Sequence, residues 1–249
     1  MPNAVALILA GGLGKRMHSN QSKSMHAVAG RPMIDWLLDT CQQAGVPHAV
    51  VVVSPSASDI RAHLNARPSP PTLVTQDIPQ GTADAVKAAL DALANLKAER
   101  VIILPGDLPN LRPQTLSPLV SLNTGIACLT VIRKDPGAYG RIVRDSQGGI
   151  KKIVEFKDCT PQEAAIEEVN AGIYCASLEF LQRAIPQIGN HNAAGEYYLT
   201  DIIALAHQEG QSIRPIVIDD PGEVMGVNTP EELRRAEAWR ANQTEVGAS

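Results

Sequence analysis

The hydrophobic positions of this chain fall into short continuous runs separated by stretches of helical periodicity, an alternation that predicts an α/β protein. Ala4 to Ala10 is unbroken apolar sequence, as expected of a parallel strand covered on both faces, and Ala49 to Val53 and Val101 to Leu104 have the same character. Between them, Met33, Ile34, Leu37, Leu38 and Cys41 form a helical stripe over Pro32 to Gly45, opened by proline and closed by glycine. Similar stripes predict helices over Asp59 to Leu64 and Ala83 to Leu96. Strand, helix, strand, helix, strand implies a Rossmann-like, doubly wound sheet with ligands at the carboxyl ends of its strands.

After about residue 125 the pattern changes. β-Branched residues dominate Ile126 to Arg133, Ile142 to Arg144 and Ile150 to Phe156, so the sheet is expected to become mixed, with a smaller β-rich lobe forming the other wall of a cleft. Helices near Ser177 to Ile185 and Tyr197 to Glu209, a strand at Ile213 to Ile218 and a helix at Pro230 to Ala241 complete the prediction. No internal repeat is present, and Arg67 to Pro71 is a loop too short for a domain linker.

Composition narrows the class. With 249 residues and 44% apolar content, the chain can bury a sizeable core. A net charge of −4 supplies no global basic field, so nucleic acid is not an expected partner. Cys41, Cys128, Cys159 and Cys175 lack CxxC spacing and are read as reduced thiols. The opening apolar run is too short to span a membrane and lacks a basic flank, so a cytoplasmic protein without a membrane partner is expected.

Candidate chemistry begins where the first strand ends. Gly11, Gly12 and Gly14 let the backbone approach anionic oxygens closely, and Arg16 and Lys23 supply positive charge. A Walker loop would end in Gly-Lys-Ser/Thr, and a dinucleotide fingerprint would place glycine where Met17 stands, so neither fits. Leu9 to Met17 with Ser22-Lys23 instead resembles the opening signature of the sugar-phosphate nucleotidyltransferases. Met25 to Met33 extends the likeness toward the N-acetylglucosamine-1-phosphate uridylyltransferases. Two departures stand out. Lys15 replaces a threonine, adding charge near the triphosphate, and Ser22 replaces a proline, which is expected to loosen the loop presenting Lys23.

Later motifs follow in the family's order, each with a plain reading beside the functional one. Gln76 and Gln80-Gly81-Thr82 read plainly as a helix start, with Thr82 capping free backbone donors. Asp107, after a buried strand, reads plainly as a turn former with its carboxylate toward solvent or ligand, and Asn228 as a turn residue or cap. Glu155, Asn170 and the Gly195 to Asp201 segment read as strand and helix-start residues.

The resemblance implies a nucleotide-diphospho-sugar transferase, glycosyltransferase-A-like fold and Mg²⁺-dependent transfer from UTP to a sugar 1-phosphate. Leu9, Ala10, Gly11, Gly12, Gly14 and Lys15 would surround the nucleotide, with Gln76, Gln80, Gly81 and Thr82 beside the base. Arg16 would hold the β- and γ-phosphates and Lys23 the α-phosphate, while Asp107 and Asn228 would hold the metal. Gly106, Gly140, Glu155, Asn170, Tyr198 and Thr200 would receive the sugar, where Pro105 and Ala171 replace a tyrosine and a threonine of the family.

On that reading residues 1–249 form one domain, with a nucleotide half to about 125, a sugar half to about 229, and a C-terminal helix and tail. No hexapeptide repeats follow, so acetyltransfer is not expected, whether the chain is a one-activity enzyme or part of a longer protein. A monomer or a dimer through this domain is expected. The rival readings are a transferase of another nucleotide or sugar, including the molybdenum-cofactor guanylyltransferase type, and a non-catalytic nucleotide-sugar binder.

Overall fold

The computed structural model describes residues 2–246 apart from 13, 18, 20 and 123, together with all but a few of their side chains. The Lys15 side chain lies outside the described residues, as do the last three residues of the tail.

The elements in chain order are β1 (Ala4–Leu9), the short hairpin β2 (Ala27–Val28) and β3 (Arg31–Pro32), α1 (Met33–Gln43), β4 (Ala49–Val53), α2 (Ser58–Asn65), β5 (Thr72–Thr75), α3 (Thr82–Asn95), β6 (Arg100–Pro105) and α4 (Pro113–Val120). Then follow β7 (Ile126–Ile132), β8 (Arg141–Arg144), β9 (Ile150–Val154), α5 (Pro161–Ala164), β10 (Glu168–Ser177), α6 (Leu178–Ala184), α7 (Asp201–Gln208), β11 (Ile213–Ile218) and α8 (Pro230–Val246).

Strand periodicity sorts the core into two layers. Ala4, Ala6 and Ile8 of β1 join Val51, Val53, Ile102 and Leu104 on one face, against Ile34, Leu37 and Cys41 of α1, Ile60 and Leu64 of α2, and Leu116 and Leu119 of α4. Val5 and Leu7 point the other way, with Val50, Val52, Val101 and Ile103, onto Val86, Ala89 and Leu93 of α3, Phe180 and Leu181 of α6, and Ile202 and Ile203 of α7. Central strands therefore read as continuous apolar runs because both faces are covered. A third cluster, Met17, Val28, Met33, Val227 and Ala236, seats α8 against the β2–β3 hairpin.

The sheet order is β11-β7-β10-β6-β1-β4-β5, with β8 and β9 attached through β10. β1 pairs in parallel with both β4 and β6, whereas β10 runs antiparallel between β6 and β7. The β-rich second half is thus continuous with the sheet, and the β8–β9 hairpin is what stands off it. Its anchor is Arg141, 1% exposed, whose guanidinium donates to the carbonyls of Tyr139, Gly137 and Ala164.

The predicted elements need correction at one helix start, and several observed elements, among them β10, were not expected. The predicted helix over Tyr197 to Glu209 begins only at Asp201; before it, Tyr197 N–H donates to Gln80 O at 2.8 Å and Tyr197 O accepts from Ala83 N–H at 2.9 Å. β5 was not foreseen because its Thr72 and Thr75 stand on a half-exposed strand after a proline run, and α4 because it contains Pro113 and Pro118. Among the described residues no helix is long and apolar enough to cross a membrane.

Candidate active site

A cleft of about 450 Å³ opens at the carboxyl ends of β1 and β6, bounded by the glycine loop, the start of α3, the middle of β10 and the segment before α7. It gathers Leu9, Ala10, Gly11, Gly12, Lys23, Gln76, Gly81, Thr82, Asp107, Glu155, Asn170 and Thr200 from positions scattered over two hundred residues of sequence.

On the first wall the loop glycines have different tasks. A side chain on Gly11 would meet Gln76 Oε1 at 3.3 Å, while nothing lies within 4 Å of one on Gly12, which leaves Gly12 open to a ligand. Gly14 alone of the three has a left-handed φ, +57°, and its missing side chain makes room for Lys23. Gln76 Nε2 donates to Gly81 O at 3.0 Å and to Asp84 Oδ2 at 2.7 Å. Both amide hydrogens are taken, so the buried Gln76 offers a base only its acceptor oxygen. Thr82 does not cap its own helix: Oγ1 accepts from Leu199 N–H at 2.9 Å, tying the start of α3 to the opposite wall. Gln80 faces a second cavity outside the cleft, with Lys87 and His191.

At the mouth of the sheet, charge converges on one point. Lys23 Nζ forms an ion pair with Asp107 Oδ2 and donates to Asn228 Oδ1 at 2.8 Å, while Arg16 Nη2 donates to the same Asn228 oxygen at 3.0 Å. Asp107 is buried and paired, so of the two directions expected for its carboxylate, solvent or ligand, it takes the one into the cleft. The loop carrying Asn228 is fixed from several sides. Val227 N–H donates to Asp107 O at 3.0 Å, Asn228 N–H donates to Glu232 Oε2 at 2.7 Å, and fully buried Glu223 accepts from Arg112 Nε at 2.9 Å. Two hard oxygens already oriented on one cation are a donor set that suits Mg²⁺, whose remaining positions substrate phosphates can fill. Among the described residues no group of three or more His, Cys, Asp or Glu side chains converges as a metal cage.

The second wall is built on a break in β10. Its register against β7 shifts between Asn170 and Tyr174, and Gly172 between them has φ +76° and faces Pro105. The break turns Asn170, Gly172 and Tyr174 into the cleft. Asn170 Oδ1 accepts from Gly172 N–H at 3.0 Å and its Nδ2 donates to Tyr174 OH at 2.6 Å. Thr200 Oγ1 donates to Glu155 Oε1 at 3.3 Å. Burial raises the Glu155 pKa above the ordinary carboxylate value, the Thr200 hydrogen bond opposing and Asp158 and Asp201 reinforcing. Gly140 lies against Glu155, where a side chain would press on Ile153.

Not every predicted residue reaches the cleft. Tyr198 lines an adjoining cavity with Asp158 and Asp201, sharing Glu155 and Thr200 as the partition. Gly106 sits behind the cleft, where a side chain would collide with Ser24 Oγ at 2.8 Å and Leu9 O at 3.0 Å. Sequence reasoning missed Tyr174, Glu196 and Leu199 as lining residues. The period of two from Asn170 through Gly172 carries the signal for Tyr174; the other two reach the cleft only because the segment before α7 is extended.

Residues 6–177 match the family described as the MobA-like NTP transferase domain. Over 240 residues, 95% of this chain, the sequence is 44% identical to the bifunctional protein GlmU of Geobacter metallireducens and 43% identical to that of Geobacter sulfurreducens. In both cases 50% of the relative is covered, so the chain spans about half the length of the curated relatives it matches. A solved structure assigned as a glucose-1-phosphate thymidylyltransferase from Bacillus anthracis, in complex with a sucrose, superposes with a TM-score of 0.76 over 95% of this chain and 94% of that one. At 21% identity it shows a shared fold.

Proposed function

This chain belongs to the MobA-like NTP transferase domain family, and we propose that within it the chain is a uridylyltransferase that makes UDP-N-acetylglucosamine and pyrophosphate from UTP and N-acetylglucosamine 1-phosphate. The observation that carries this reading is the placement of Lys23, Asp107 and Asn228 between two dissimilar walls, one of backbone and amide groups suited to a nucleotide, the other of uncharged and carboxylate acceptors suited to a neutral sugar.

A sugar 1-phosphate oxygen attacks the α-phosphorus of UTP in line; the new phosphorus–oxygen bond forms as the bond to the β-phosphate breaks, and pyrophosphate leaves. The attacking phosphate is already anionic and needs no deprotonating base, so positioning and charge neutralisation dominate. Asp107 and Asn228 would hold Mg²⁺, which supplies neutralising charge when bound. Lys23 turns its ammonium from these oxygens to the transferring phosphate, and Arg16, exposed beside Asn228, meets the outer phosphates. Gln76 accepts from the base, and Glu155, Asn170 and Thr200 meet the sugar. Tyr198 and Gln80 border the site from neighbouring cavities. We place the reaction in the cytoplasm, on a monomer or a dimer through this domain.

Pyrophosphate release across a panel of nucleoside triphosphates and sugar 1-phosphates tests the reading. The highest kcat/KM is expected for UTP with N-acetylglucosamine 1-phosphate; preference for GTP would move the chain to another branch of the family, and no release with any pair would make it a binding protein.

A further inference from the structure

We propose that Asp59 is a positioning residue for Lys23, holding with its carboxylate the backbone that a proline at position 22 would fix with its ring. The proposal rests on the reading of Lys23 as the cation that meets the transferring phosphate. Ser22 stands where the resemblance leads one to expect proline, and the sequence alone suggests a loosened loop. The structure contradicts that expectation. Ser22 N–H donates to Asp59 Oδ2 at 2.7 Å and Ser22 Oγ donates to Asp59 Oδ1 at 2.5 Å, so one carboxylate grips both donors of one residue. The backbone of Ser22 has φ −55° and ψ 136°, a φ within the range a pyrrolidine ring imposes.

A proline could make neither of these bonds, because it has no N–H and no hydroxyl to donate. The contact is therefore tied to the serine of this chain. Asp59 lies in the first turn of α2, a helix seated in the core by Ile60 and Leu64. Burial alone would raise its pKa, but hydrogen bonds from the Ser22 hydroxyl and N–H, with the Ile60 N–H, hold it below the ordinary carboxylate value. The grip is thus made by an ionised group and is charge-assisted. Immediately after Ser22 the chain makes a single 3₁₀ turn, Lys23–Met25, in which Met25 N–H donates to Ser22 O at 2.9 Å. Ser24 in that turn is buried against Gly106. Lys23 consequently starts from a residue fixed to α2 and reaches Asp107 and Asn228 from a defined origin.

The experiment is a rescue, read as kcat and KM for UTP in pyrophosphate release, with thermal unfolding of every variant. Asp59→Ala should lower kcat by about ten- to hundredfold with little change in KM, since misplacement of a catalytic group by about 1 Å costs rate on this scale. Ser22→Pro alone should keep kcat close to that of the parent chain, and adding it to Asp59→Ala should recover most of the lost kcat. A role limited to the stability of α2 would not be rescued from position 22. If Asp59→Ala does not fold, Asp59→Asn with and without Ser22→Pro gives the same ordering with smaller steps. Unchanged kcat in the Asp59 variants, or no recovery with Ser22→Pro, overturns the proposal. Lys23→Ala in the same assay separates the two readings: if it abolishes turnover while Asp59→Ala does not lower it, only this inference fails, whereas full turnover in Lys23→Ala removes the assignment of Lys23 itself.

Discussion

The two walls of the cleft are made by different means. The nucleotide wall is the carboxyl edge of parallel strands, where glycines bring backbone close and several charged groups have partners: Lys23 with Asp107 and Asn228, Asp59 with Ser22, Asp84 with Gln76. The sugar wall comes from an irregular antiparallel strand and a loop; burial, with Asp158 and Asp201 reinforcing, raises the pKa of its carboxylate Glu155, and burial, with Asp158, raises that of Asp201 in the adjoining cavity. On the proposed reading, Lys23 and Arg16 would meet the phosphates, and the buried acceptors Glu155 and Asn170 would meet hydroxyls and an amide. On the proposed function the difference makes charge a map of the substrate: one end of the cleft would neutralise anions and the other would exclude them. The walls meet through three hydrogen bonds, from Tyr197 N–H to Gln80 O, from Ala83 N–H to Tyr197 O and from Leu199 N–H to Thr82 Oγ1.

Breaking the charged end should have the largest effect. Asp107→Ala removes the buried acceptor of Lys23 and a proposed metal ligand, and a loss of about a thousandfold or more in kcat is expected, on the scale of several kcal/mol of transition-state stabilisation. The check is steady-state kinetics with and without EDTA; full activity of the parent chain in EDTA, or of Asp107→Ala without it, would dissolve the assigned role. Breaking the junction comes next. A side chain on Gly81 would sit 2.5 Å from Tyr197 O, at a φ of +127° that ordinary residues avoid. Gly81→Ala should therefore destabilise the fold by about 1–3 kcal/mol and raise KM for both substrates. Gly12→Ala is the contrast, since nothing in the protein crowds that position. It should fold normally and raise KM for UTP alone; a rise in both would mean that the walls are coupled beyond their junction.

What the sequence reveals also divides along this line. The nucleotide wall was legible because local rules govern it: a buried strand is a run of apolar residues, a close turn needs glycine, and the helix start after Gly81 follows from the stripe in α3. The partners of Lys23 lie 84 and 205 residues away: the Asp107 turn is expected beside the glycine loop at the carboxyl ends of the strands, whereas Asn228 comes to the site only through the family resemblance. Less legible were contacts decided by competition between nearby groups. Thr82 has the chemistry of a cap and bonds Leu199 instead; Ser22 lacks the ring of proline and is held by an acid from another element. The sugar wall hid its geometry further, since β10 breaks its pairing with β7 while Asn170, Gly172 and Tyr174 keep a period of two, and the run at Tyr197 to Thr200 follows no helical period.

Removing acceptors from the sugar wall tests its proposed specificity. Glu155→Ala and Asn170→Ala should each reduce kcat/KM for N-acetylglucosamine 1-phosphate by about tenfold to a hundredfold, as lost or unpaired buried partners cost roughly 1–3 kcal/mol. KM for UTP should change little. Comparison with glucose 1-phosphate is the decisive arm: the wild-type preference for the acetamido sugar should narrow in both variants. Equal use of the two sugars by the parent chain would leave nucleotidyl transfer standing and remove the acetamido assignment. Asn170→Ala also frees Tyr174 OH, so Tyr174→Phe should reproduce part of its effect if Asn170 acts from a fixed orientation.

The smallest effect is on stability, and its sign should differ between the walls. Burial raises the pKa of Glu155, and burial followed by Asp158 raises that of Asp201. An acid with a folded pKa above its unfolded value binds more protons when folded. Its contribution is fully favourable below the unfolded pKa and is lost as pH rises through the folded one. Asp59 has the opposite shift: its stabilising contribution is present above the unfolded carboxylate value and disappears as pH falls through the lower folded value. Thermal unfolding of Glu155→Gln and Asp201→Asn should therefore give a higher Tm than the parent at pH 7.5, the gain vanishing as pH falls below about 4, near the unperturbed carboxylate pKa. Asp59→Asn should give a lower Tm at pH 7.5, with that deficit shrinking in acid. A shift of one sign for all three variants would mean that the two walls share one electrostatic environment, and the division into an anion-neutralising end and an anion-excluding end would have to be abandoned.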